Sequence, residues 1–419
     1  MTFTDQTHTS EIAPRLCLGC ACFCHDLTYT AEGQILDSKG CKLAHQWQRS
    51  QASTPVGSEP EMDEAVRRIS LARQLKFQIA FTGLQQLSLE SQKLALSLAE
   101  RLGAWVFSGD GQTRVDPWAM AFAQNGGWFA SWTEIHQRSD GLIQWFAPLW
   151  KTHPRWLERF GPRAGKSSVM CIDQPDDDTS GSGLSNHQLI SLDPGHAAWF
   201  LADLGMALNR GTTDGMDHRI RQLVEIFQKS QWLTWLRSED PQGLLDPVGI
   251  AESITTLIKQ ANTGRRRMVM AEVPQGGLNP AGLKAVLSWR TGLAAPMWFS
   301  PEGPVYRPGE FSADDANLVV SFGDRPTLKT GQSFIWFNTG HSDQIPINAP
   351  SLTQISLARL GSGQGGTIVR ADGVTLHVAP MLTDGSQKTA EELLSRILNS
   401  LELEAAQSKI PPEIRGAKS

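Results

Sequence analysis

Four of the chain's six cysteines fall within eight positions, in CLGCACFC at residues 17 to 24. Cys17, Cys20 and Cys24 are separated by two and then three residues, Cys41 follows after sixteen more, and Cys22 is an extra thiol inside the tight group. Thiolates are the soft ligands that iron–sulfur clusters and structural zinc select, and a compact loop lets three converge before a fourth arrives from a separate turn. The set Cys17, Cys20, Cys24 and Cys41 therefore reads as a metal centre. Its spacing matches neither standard ferredoxin run, which speaks against a simple electron carrier. His25 and His45 are near enough in sequence to replace a thiolate in a tetrahedral zinc set. On spacing alone a 4Fe–4S cluster, zinc and a site that has lost its metal all stand open. Cys171, inside the strand-like run SSVMCID, reads as a small buried hydrophobe.

The elements that must position these thiols belong to a large folded chain. At 419 residues it exceeds the size at which one hydrophobic core keeps growing, so two or three packed units are expected. A net charge of −5 and a pI near 6.1 lack the basic excess that nucleic acid attracts. No apolar run approaches the roughly 20 residues that cross a bilayer, and MTFTDQTHTSEIAPR has no basic region followed by an apolar core. A cytoplasmic chain without a membrane span is expected, and a reducing compartment steers clustered thiols toward metal rather than disulfides. Fourteen tryptophans against two tyrosines are expected in the core and at subunit contacts.

Beyond the thiols, short apolar runs alternate with helical patterns, the signature of βαβ units and a mostly parallel sheet. LKFQIAFTG (75–83) reads as a buried strand feeding a helix at 88–103 that carries Leu89, Leu94, Leu96, Leu98 and Leu102 and stops at Gly103. Further strands are expected at 141–150, 167–173, 187–193, 267–273, 296–300, 317–324 and 333–338, with helices at 196–210, 216–237, 246–261 and 279–294. DQPDDDTSGSG (173–183) reads as a surface loop, and LGSGQGG (360–366) as a flexible connection. GTIVRADGVTLHVAP (366–380) has strand composition around an Asp-Gly turn, and 390–407 closes the chain as a helix.

The thiol spacing, the acidic residue directly after it (Asp26), and Cys41 beyond a glycine-bearing hairpin resemble the N-terminal segment of the B-type chain of formylmethanofuran dehydrogenase, within the molybdopterin oxidoreductases. The resemblance continues through FTGLQQLSLESQKLALSLAERLGAWV, similar to that family's strand, loop and helix with Glu-Ala-Gln, here Glu90-Ser91-Gln92. It extends to His153-Pro154-Arg155 and to Arg370-Ala371-Asp372-Gly373-Val374. It implies an α/β fold like the molybdopterin oxidoreductases without their C-terminal barrel. In that layout 1–60 is an iron–sulfur-type segment, 61–85 with 275–419 form one Rossmann-like unit, and 86–274 form a second, inserted one.

In active relatives, the residue before Glu-Ala-Gln is a cysteine or selenocysteine bound to tungsten or molybdenum. Here it is Leu89, whose isobutyl group has no lone pair to donate. The family's Gly-Trp-Ser-Ser loop is Gly83-Leu84-Gln85-Gln86, and its Gly-x-Asn-Pro is Phe146-Ala147-Pro148-Leu149, bulkier groups where a pterin needs close approach. The resemblance, closest to the corresponding chain of the bacterial formyltransferase/hydrolase complex, implies a noncatalytic subunit. Its partner subunits carry transfer and hydrolysis of a formyl group between tetrahydromethanopterin and a methanofuran-type carrier. His153, Arg155 and Arg370 are then the candidates to meet a carboxylate-rich carrier, because arginine grips carboxylates bidentately. Two other readings are a tungsten or molybdenum pterin oxidoreductase of the formylmethanofuran dehydrogenase type, and a metal module that only stabilises the N-terminal segment.

Overall fold

The structure, a computed structural model, describes residues 15–30, 34–49, 58–107, 117–147, 149–163, 168–174, 187–238, 243–264, 267–273, 277–307, 309–323, 332–338, 352–380 and 388–408. The thiol loop leads into a short antiparallel hairpin, β1 (Thr28–Tyr29) and β2 (Ile35–Asp37), and then helix α1 (Lys42–Arg49). Helix α2 (Glu59–Gln74), strand β3 (Ile79–Thr82), helix α3 (Leu89–Leu102) and strand β4 (Trp105–Val106) follow. Next come α4 (Pro117–Asn125), α5 (Trp132–Arg138), β5 (Gly141–Trp145), α6 (Leu149–Thr152), α7 (Trp156–Phe160), β6 (Ser168–Asp173) and β7 (His187–Ser191). The chain continues through α8 (Ala197–Arg210), α9 (His218–Lys229), β8 (Trp232–Arg237), α10 (Pro247–Ala261) and β9 (Arg267–Glu272). It then returns through α11 (Pro280–Thr291), β10 (Met297–Ser300), β11 (Gly303–Val305), β12 (Leu318–Phe322), β13 (Ser333–Asn338) and β14 (Leu352–Ser356). A hairpin, β15 (Gly366–Val369) and β16 (Thr375–Val378), and the long helix α12 (Ala390–Ser408) complete it.

Two sheets organise these elements. The first has seven strands in the order β11-β10-β4-β3-β12-β13-β14, parallel from β4 to β14 with β10 and β11 antiparallel at one edge. The second is wholly parallel, in the order β7-β6-β5-β8-β9. The mostly parallel, Rossmann-like α/β architecture read from the sequence is therefore present. Helix α3 and strand β4 belong with the first sheet, so the chain crosses to the second after Val106 rather than at residue 85. In each sheet the strand order reverses at one point, between β3 and β12 in the first and between β5 and β8 in the second. Crevices at the carboxyl ends of such strands are where open α/β sheets take ligands.

Two expected elements differ. The strand expected over 141–150 ends at Trp145, because Phe146 turns out of the sheet with a φ of 45°. The helix expected over 216–237 stops at Lys229, and Trp232–Arg237 is strand β8 inside the second sheet. Its entry is fixed by Asp140, whose carboxylate accepts the N–H groups of Gln231 and Trp232 at 2.9 and 3.0 Å. The acidic loop read at 173–183 falls mostly outside the described residues.

One core packs α2, α3, α11 and α12 onto the first sheet, and a second packs α8, α9 and α10 onto one face of the other. A third gathers the thiol loop, α5, α7, the opposite face of the second sheet and the β15–β16 hairpin. Trp132, Trp145, Trp156, Trp235 and Trp336 are among the largest fully buried side chains, which accounts for much of the tryptophan content through packing. Among the described residues no helix is long and apolar enough to cross a membrane.

Candidate metal centre

The thiol loop is closed by its own backbone. The N–H of Cys17 donates to the carbonyl of Cys24 at 2.8 Å, and Phe23 takes a φ of 49° to make the return. Gly19 lets the loop lie on α1, since a Cβ there would stand 2.6 Å from the Leu43 carbonyl oxygen. Cys41 sits just before α1, its N–H bonded to the Ser38 carbonyl at 3.0 Å. Cys17, Cys22, Cys24 and Cys41 are buried and Cys20 is half-buried, all as free thiols.

Burial pushes the Cys17 thiol well above its ordinary value, and charge on Cys20, Cys24 or Cys41 would push it further. Burial also raises Cys24, against the pull of Arg159. Cys20 is lowered by its contact with the Cys22 thiol and by Arg159 and Arg155. Arginines thus flank the loop on the side of the second sheet. Two buried donors beside the thiols, Tyr29 Oη and Arg15 Nη1, have no acceptor. Sulfides and thiolates of an iron–sulfur cluster would be such acceptors, and the arginines would offset its negative charge, so the donor set and its surroundings fit that group. Among the described residues no three His, Cys, Asp or Glu side chains are grouped as ligands of a metal ion, and this holds equally for zinc and for a cluster. His25 and His45 are exposed, and His25 Nδ1 lies 3.0 Å from Arg159 Nη2.

Arg155 joins the loop to the second unit. It is buried at the start of α7 and grips both oxygens of Asp26, at 3.0 and 2.6 Å, while also bonding Glu158. That grip holds the Asp26 carboxyl down at about 2. His153, two residues earlier, is buried against Thr152 Oγ1 at 2.9 Å, and burial lowers it to about 4. Arg370 forks Asp372 with two bonds of 2.7 Å and stacks its guanidinium 4.9 and 5.0 Å from the rings of Trp132 and Phe160. Asp372 also accepts the Trp132 N–H at 2.8 Å. The structure gathers all three candidate carrier contacts into the core around the thiol loop. Both arginines already hold an aspartate of this chain.

Leu89 opens α3, half-buried against the first core, after the N-cap Ser88. Several of the surrounding polar groups satisfy one another, while Gln85 Oε1 is buried without a partner. Gln92 donates to the carbonyls of Leu84 and Asn279 at 3.1 and 3.0 Å, Asn279 accepts the Val369 N–H at 2.8 Å, and Glu90 accepts the Thr367 N–H at 3.0 Å. Gly83 takes a φ of 73° so close to β12 that a Cβ would fall 1.9 Å from the Phe322 carbonyl oxygen. A Cβ on Gly277 would meet the Gln85 side chain at 2.4 Å, one on Gly323 the Gln86 side chain at 2.4 Å, and one on Gly366 Ser88 at 2.6 Å. The cradles that glycine opens at the β3/β12 crevice are filled by the chain's own side chains. At the position where the resemblance places a metal ligand, Leu89 offers no donor atom. This network joins residues 84 to 369, too far apart in the chain for residue spacing to signal it.

No family model matches the chain, and no curated protein matches it. Among solved structures, the chain is similar to one from the X-ray crystal structure of the formyltransferase/hydrolase complex of Methylorubrum extorquens in complex with methylofuran. The TM-score is 0.64 and the identity 16%, over 84% of this chain and 100% of that one. At that identity, the likeness establishes a shared fold.

Proposed function

We propose that this chain is a noncatalytic scaffold, of the formylmethanofuran dehydrogenase B type, in a formyltransferase/hydrolase complex that oxidises one-carbon units through a tetrahydromethanopterin and a methanofuran-type carrier. The observation that carries this reading is Leu89 at the head of α3, beside a crevice packed with Gln85, Gln86 and Ser88. Redox chemistry at a molybdenum or tungsten pterin needs a donor and space, and both are taken up by apolar and amide groups. The fold shared with a chain of a formyltransferase/hydrolase complex supports the assignment to that kind of assembly. The sequence likeness at the thiol loop, Glu90-Ser91-Gln92, His153-Pro154-Arg155 and Arg370–Val374 supports the place within it. In this reading the thiols of Cys17, Cys20, Cys24 and Cys41 hold a 4Fe–4S cluster that stabilises the N-terminal segment. Arg155, through Asp26, clasps that segment to the rest of the molecule.

Elemental analysis of the complex isolated without air tests both parts. The expected result is no molybdenum or tungsten and about four iron atoms per chain, with an absorption shoulder in the visible range. Stoichiometric molybdenum or tungsten, or reduction of a viologen dye by the chain alone with formate, would overturn the noncatalytic reading. Zinc in place of iron would overturn the cluster and leave the scaffold role standing.

A further inference from the structure

Helix α8 is apolar on two opposite sides. Its sequence, AAWFLADLGMALNR, has no ionisable residue except Asp203 and Arg210. Ala197, Phe200, Leu201, Leu204 and Ala207 are buried in the core of the second sheet, and both α9 and α10 pack against the helix. The other side holds Trp199, Ala202, Asp203 and Met206, spaced i, i+3, i+4 and i+7 and therefore neighbours along one face over two turns. All four are exposed, Trp199 by 74% and Met206 by 41%. A helix that is apolar all round belongs where it is covered all round, and an exposed tryptophan is the side chain that most often anchors one protein to another.

Charge selects the occupant. Asp203 is the one charged group within the stripe, and among the described residues it makes no hydrogen bond or ion pair. Two-fold pairing of α8 with a second copy of itself, centred on this stripe, would bring two Asp203 carboxylates together, which like-charge repulsion opposes. We propose that this face of α8 docks a different chain, through a helix whose apolar side chains surround one lysine or arginine. The cation meets Asp203, and Trp199 and Met206 pack between the apolar side chains on either side of it. This proposal rests on the chain's place in a multi-subunit assembly and assigns one contact face within it.

The test compares the full-length chain alone with the complex isolated from its source cells. Hydroxyl radicals should oxidise Trp199 and Met206 in the chain alone and spare both in the complex. Trp199→Ala, at an exposed position, should leave the Tm of the chain unchanged and weaken its rebinding to the remaining subunits about thirtyfold, and Asp203→Lys should weaken it about tenfold. Equal oxidation of Trp199 in both samples, or undiminished rebinding of Trp199→Ala, overturns the docking face and leaves the assembly itself in place. Protection of Trp199 that grows with the concentration of the chain alone overturns the choice of a different chain in favour of a second copy. If the chain isolated from its source cells carries no other protein, the scaffold reading falls and this proposal with it.

Discussion

At the scale of single residues, two buried polar side chains on or near β5 make measurable claims. Gln144 is fully buried in that strand, paired in register with Cys171 and Leu236, and neither atom of its amide has a partner. An unsatisfied buried amide costs more than an apolar group of the same shape, so Gln144→Met should stabilise the protein by about 1–2 kcal/mol, read as a higher urea midpoint at unchanged slope. His153 works in the opposite sense. Its folded value of about 4 lies below the ordinary histidine value, so acid protonates the unfolded chain first. Its contribution is complete above about pH 6.5 and declines as the pH falls toward 4, by about 3 kcal/mol in all. His153→Gln should remove that part of the slope between pH 7 and pH 4.5 in denaturant titrations.

At the scale of elements, the clasp formed by α7 decides whether the thiol loop stays in place. Arg155 is nearly fully buried and its fork is shared by Asp26 and Glu158. Lysine cannot reproduce two parallel bonds to a carboxylate. Arg155→Lys should cost about 2–4 kcal/mol and, in limited proteolysis, free the N-terminal segment before the α/β units open; simultaneous loss of both would contradict the clasp. Sequence reading reached some of these elements and missed others for physical reasons. Trp232–Arg237 follows an amphipathic helix after only Ser230 and Gln231, so its apolar residues continue the helical pattern until Asp140, ninety positions away, captures the strand entry. Phe146 leaves its strand through a left-handed turn that no glycine announces. The thiol spacing was legible because these cysteines lie close together along the chain. The Arg155–Asp26 grip was not, because it joins residues 129 apart, and neither residue type signals a partner.

At the scale of the whole molecule, one buried ion group links the two sheets. Glu272 ends β9 in the second sheet and accepts Arg237 Nη2 from β8 at 2.7 Å. Its other oxygen accepts Lys284 Nζ at 2.8 Å from α11, a helix packed on the first sheet. Burial pushes the Glu272 carboxyl up, yet Arg237 and Lys284 outweigh it and hold the group at about 2. The Arg237 guanidinium also lies 4.4 Å from the centre of the Trp118 ring. Neutralising the glutamate therefore strands a buried arginine, whereas removing Lys284, whose side chain is 41% exposed, loses a screened contact. Glu272→Gln should cost about 3–5 kcal/mol and Lys284→Met about 0.5–1 kcal/mol. Because this carboxyl titrates lower in the folded protein, its contribution is present above about pH 4.3 and is lost as the pH falls toward 2. In calorimetry, Glu272→Gln should divide a single unfolding transition into two, the second sheet melting first. A single transition shifted as a whole would mean that packing alone couples the sheets and that the ion group is local.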